Sequence, residues 1–102
     1  SNPKITEREL LGWTLHEIRH RIQLEKQIPL FSIRDNFELF PHWLQKRIKT
    51  LPKELSDKEL DAKVTEYIIM FLFDKGTPAE ELSKLLLTEP SILLDKIRDY
   101  EK

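Results

Sequence analysis

Proline, glycine and capping residues cut this chain into pieces a few helical turns long, and that punctuation constrains its fold more than any other feature. Thr6 with Glu9, and Ser56 with Glu59, have the spacing of a capping box. In that motif a hydroxyl accepts from the backbone N–H three residues on, and the glutamate reaches back. Pro29 closes the first helical region. Pro41 fits the first turn of a later helix, where its missing N–H costs little, and Pro52 stops that helix. Gly76 stands where a left-handed C-terminal cap is wanted. Thr77-Pro78-Ala79-Glu80 then combines cap, proline and box in one helix start, and Pro90 opens a last helix.

Apolar spacing fills in the segments between these marks. A first helix running to about Lys26 carries Leu11, Leu15, Ile18 and Ile22 as one stripe. Leu10, Trp13 and Leu24 fall on the opposite side at 100° per residue. Ser32 is placed to cap a short helix over Ile33–Phe40. The helix after Pro41 has Leu44, Ile48 and Leu51 inside, flanked by Trp43. A longer helix, 57–75, carries Leu60, Val64, Ile68 and Phe71, and its second half is apolar nearly all round. Its residues also suit a strand, but the periodic lead-in and the Gly76 stop favour helix. Leu82, Leu85 and Leu86, then Leu93, Ile97 and Tyr100, line the last two helices. The expected fold is all-α: a compact five- to six-helix orthogonal bundle, with helix 57–75 central and a C-terminal helical hairpin.

The 102 residues support one core. Ser1 and Asn2 read as the remnant of an expression tag, leaving 3–102 as a single helical domain. There is no cysteine, which excludes disulfides, thiolate metal ligands and cysteine nucleophiles, and suits the cytoplasm or another reducing compartment. The longest apolar run, Tyr67 to Phe73, is far short of a bilayer span. The net charge of −1 covers an asymmetry: residues 1–53 hold ten Lys/Arg against six Asp/Glu, and residues 54–102 hold seven against twelve. Such a chain can offer a basic face to an acidic partner.

Three segments carry functional signals. His16-Glu17-Ile18-Arg19-His20 is a literal H-E-x-x-H, which resembles the zinc metalloprotease motif over those five residues. The resemblance implies two imidazoles on one zinc, with Glu17 as general base. Arg19 and Arg21 depart from that family's uncharged surroundings. A third ligand is not identified; His42 and Glu38 are the candidates. The segment therefore reads as a helix face that carries two histidines beside Trp13, with no metal ligand assigned and no zinc-dependent rise in melting temperature expected.

The second signal is the row His42, Lys46 and Lys49 opposite Leu44 and Ile48, with Arg47, Lys53 and Trp43 nearby. Aligned cations beside an aromatic can follow a phosphate backbone, but a pI near 6.3 suits a solvated face or an acidic protein partner better. The third is the pair of helices from Glu80 to Tyr100. They thread onto a helix-turn-helix with the turn at Thr88-Glu89-Pro90, although Asp95 on the outer side would repel phosphate. Gly76-Thr77-Pro78 through Pro90-Ser91-Ile92-Leu93 also resembles one repeat of the mitochondrial transcription termination factor family. That likeness covers about a quarter of the chain, and no function is carried over from it.

No P-loop, dinucleotide fingerprint or nucleophile elbow is present, so no catalytic residue and no cofactor is assigned. The chain reads as a non-catalytic interaction module that binds another protein or a second copy of itself, with Trp13, His20, Leu24, Trp43, Lys46 and Lys49 as partner-binding residues and no membrane contact. The alternative is a nucleic-acid-associated regulatory domain using helix 42–51 or the C-terminal pair. A zinc-dependent hydrolase is the third reading.

Overall fold

A computed structural model describes residues 7–26, 33–88 and 90–98. These form five α-helices: α1 (Glu7–Lys26), α2 (His42–Lys49), α3 (Asp57–Asp74), α4 (Ala79–Leu85) and α5 (Pro90–Arg98). A single 3-10 turn, Phe37–Leu39, precedes α2. The all-α expectation holds, and no strand occurs among the described residues.

Helix α3 is the central element, packed by α1, α2, α4 and α5. Its second half explains why. Val64, Ile68, Ile69, Met70 and Leu72 are all buried, so the helix meets neighbours around most of its circumference. Leu15, Leu44, Leu82, Leu85, Leu93 and Ile97 reach it from the surrounding helices and join one continuous core. Each such side chain, fully buried, contributes about 1.5–3 kcal/mol.

Both ends of α3 follow the punctuation. Ser56 Oγ accepts from the Glu59 backbone N–H at 3.2 Å, which satisfies one of the free donors of the first turn. At the other end Gly76 has φ +91°. Thr77 N–H reaches the Leu72 carbonyl at 3.0 Å and Gly76 N–H reaches that of Phe73 at 3.0 Å. This is the Schellman pattern, which needs a left-handed residue at the position of Gly76.

Three local expectations are corrected. Ile33–Phe40 is not an α-helix: residues 33–36 form turns that lead into the 3-10 segment. Asp35 and Asn36 favour turns over helix interiors, and Pro41 holds Phe40 extended, with φ −82° and ψ 152°. Arg34 instead ties this turn to the α2–α3 connection, donating to the Lys53 and Leu55 carbonyls at 2.7 Å each. At α4 the N-cap is Pro78, and no side chain caps it; the Thr77 box does not form. On α1, Ile18 is 39% exposed, whereas Leu11, Leu15 and Ile22 pack inward. Thr6, Pro29, Ser32 and Tyr100 lie outside the described residues.

Candidate functional site

The displacement of Ile18 has a cause on the next residue. Arg19 is completely buried, and so, to within 1%, is Asp61 on α3. Arg19 Nε donates to Asp61 Oδ2 at 2.9 Å and Nη2 donates to Oδ1 at 3.2 Å. Its Nη1 donates to the Leu86 carbonyl at 2.6 Å, at the C-terminal end of α4. One guanidinium thus joins α1, α3 and the end of α4, using the planar fork that lysine lacks. With Arg19 facing α3, the buried side of α1 is centred on Leu15, Arg19 and Gln23, and Ile18 is turned toward its edge.

Gln23 extends the network. Its amide nitrogen donates to Asp61 Oδ2 and, at 3.1 Å, to the Lys58 carbonyl. With both amide hydrogens engaged, its oxygen is left to accept from His20 Nδ1, 2.9 Å away. His20 Nε2 then points toward Glu59 Oε1 at 2.9 Å and His16 Nε2 at 3.1 Å. His16 Nε2 lies 3.2 Å from Glu59 Oε2, and its Nδ1 faces Glu66 Oε1 at 3.5 Å. The two imidazoles meet edge to face, with centroids 4.6 Å apart.

The histidines therefore lie along the α1–α3 seam, both partly buried, while Glu17 between them is exposed. Glu59 is the residue that the sequence could not nominate. Its backbone belongs to the Ser56 box, but its carboxylate faces the imidazoles of another helix. His16, His20 and Glu59 each bring one ligand atom within 4.8 Å of the other two, and among the described residues no other such group of three occurs. Neither Glu38 nor His42 belongs to it.

The other side of α1 faces outward. Leu10, Trp13 and Leu24 are 56%, 53% and 76% exposed. Together with Glu17 and Arg21, also exposed, they occupy an arc of about 80° opposite Arg19. Trp13, Leu24 and His20 line one shallow groove along this face. Trp13 also borders a second depression between α1, α2 and α3, of about 500 Å³, with Trp43, Arg47, Glu66 and Tyr67 around it.

Trp43 is held differently. It is half-buried and stacked on Phe71, with ring centroids 4.3 Å apart at 15°. Its indole Nε1 is buried without a hydrogen-bond partner. Arg47 lies over the Tyr67 ring at 4.4 Å and Lys49 over Phe37 at 5.6 Å. Lys46 and Lys49 are exposed, but the aromatic ring beside them is packed into the protein rather than presented for base stacking. The structure groups Trp13, His20 and Leu24 on one groove, whereas Lys46 and Lys49 stand apart on α2.

In the C-terminal pair, Leu82, Leu86, Leu93 and Ile97 are buried. The outer side of α5 has Asp95 paired with Arg98 at 3.6 Å. No helix of the described chain is long and apolar enough to cross a membrane. No protein-family model, curated protein or solved structure matches the chain.

Proposed function

We propose that this domain is a non-catalytic interaction module in which the outer face of α1 pairs with the same face of a second copy. The observation that carries the reading is the exposure of Leu10, Trp13 and Leu24 on one stripe, opposite a face already filled by the core. Half-exposed tryptophans flanked by arginine are the kind of anchor on which interfaces depend.

The stripe is self-complementary when two copies run antiparallel. Trp13 and Leu24 are equidistant from the midpoint between residues 18 and 19. A two-fold axis at that level, perpendicular to α1, brings Trp13 of each copy against Leu24 of the other. The same operation sets Glu17 diagonally across from Arg21 of the second copy, twice over. Such an isologous contact closes on itself as a dimer. At 1.5 Å per residue the 20 residues of α1 offer a seam of about 30 Å.

A charge exchange tests the geometry. Glu17→Arg alone places like charges across the axis and shifts the dimer toward monomer in sedimentation. Adding Arg21→Glu restores opposite charges and recovers the dimer. If the double exchange dissociates as far as the single one, or if neither changes the association state, the antiparallel pairing is wrong.

A further inference from the structure

Helices α1 and α3 bring two imidazoles and a carboxylate within 4.8 Å of one another. We propose that His16, His20 and Glu59 bind a divalent transition-metal ion of the zinc class. The proposal is independent of how α1 associates.

Distances come first. Zinc bound tetrahedrally by histidine and carboxylate lies about 2.0–2.1 Å from each ligand atom, which sets those atoms about 3.3–3.4 Å apart. Here the two Nε2 atoms are 3.1 Å apart, His16 Nε2 lies 3.2 Å from Glu59 Oε2 and His20 Nε2 lies 2.9 Å from the other oxygen, Oε1, so the carboxylate spans the histidine pair. One ligand atom from each residue lies within 4.8 Å of the other two. Residues four apart on one helix share a face, so the H-x-x-x-H spacing supplies two corners and Glu59 closes the triangle.

The placement of protons comes second. Gln23 spends both amide hydrogens on Asp61 and the Lys58 carbonyl, so His20 Nδ1 must be the donor to Gln23 Oε1. His16 Nδ1 lies 3.5 Å from Glu66 Oε1, and both atoms are buried without a hydrogen-bond partner. With its proton on Nδ1, neutral His20 turns the Nε2 lone pair toward His16 Nε2 and toward Glu59 Oε1, 2.9 Å away. That lone pair and the carboxylate repel unless a proton or a cation lies between them.

The surroundings favour the cation. Metal-bound histidines characteristically donate their second N–H to a carboxylate, carbonyl or similar acceptor, which fixes tautomer and ring orientation. His20 has that acceptor in Gln23, which is itself anchored through Asp61 to the buried Arg19. The neutral nitrogens and one carboxylate form a donor set suited to zinc rather than to calcium or magnesium. Three protein ligands leave a fourth position for water. Glu59 and His20 are the more exposed corners, and His20 lines the groove beside Trp13, so that position opens on solvent.

The test is a titration of the chelator-treated 102-residue chain with zinc chloride. One equivalent is expected to bind, and a hundredfold excess over the dissociation constant is expected to raise the melting temperature by about 10 °C or more. Cobalt(II) is expected to give the intense visible bands of a tetrahedral ion. His20→Ala and Glu59→Ala should each abolish both effects while helical circular dichroism is retained. Glu17→Gln, and Trp13→Ala with Leu24→Ala, should leave them intact. Wild-type protein that neither binds zinc nor colours with cobalt overturns the proposal. Binding that survives both ligand substitutions overturns it as well.

Discussion

Arg19 shows how far a single residue can depart from its surroundings in sequence. It lies in a helix rich in charged groups, and nothing in the apolar spacing marks it as buried. Yet it is wholly enclosed, with Asp61 and the Leu86 carbonyl satisfying its donors. Breaking such a pair strands a charge in the core, whereas replacing both partners with apolar groups costs little. Asp61→Ala should therefore destabilise the protein by about 3–5 kcal/mol in urea unfolding. Arg19→Met combined with Asp61→Leu should recover part of that loss, since Gln23 and the Leu86 carbonyl then each lose a partner. A double variant no more stable than Asp61→Ala would mean that the pair does more than satisfy itself. Glu59 is a second residue of this kind. Its spacing from Ser56 announces a helix cap, and its use by two histidines on another helix is a tertiary fact that local spacing does not contain.

At the scale of elements, the chain ends its helices where its sequence says. Gly76 is the clearest case. A Cβ there would meet nothing within 4 Å, so Gly76→Ala tests backbone conformation alone. With φ at +91° the substitution should cost about 1–2 kcal/mol in the same unfolding experiment; an unchanged midpoint would contradict the cap. Helix existence, the central place of α3 and the buried leucines of α4 and α5 were all legible, because caps and 3.6-residue periodicity are local signals. The 33–40 segment was misread because a nearby proline and two turn-forming residues outweighed a plausible cap. The orientation of α1 was legible by halves. Trp13, Leu10 and Leu24 lie on one outer face as their spacing requires, but the inner face is centred on a polar network that hydrophobicity cannot reveal. For the candidate metal site, the two histidines were visible as a pair, and the missing corner lay 39 residues beyond His20.

Across the whole molecule, the charge asymmetry between the two halves of the chain is partly offset by pairs between them. Arg19 meets Asp61 in the core and Arg34 meets Asp57 on the surface, each joining the first half to α3. On the surface Lys46, Arg47 and Lys49 of α2 stay exposed, and α1 presents a mixed stripe in which Trp13 and Leu24 flank Glu17 and Arg21. A face of that composition, on a helix otherwise committed to the core, is the reason for proposing that the domain associates. Trp13→Ala combined with Leu24→Ala removes exposed side chains only, so folding stability should change little while association is lost. Sedimentation of the wild-type chain over increasing concentration, beside that double variant, tests the account most directly. It predicts a wild-type dimer and a monomeric variant of unchanged helical content. A wild-type chain that stays monomeric throughout, or a variant that dimerises as well as wild type, would contradict it.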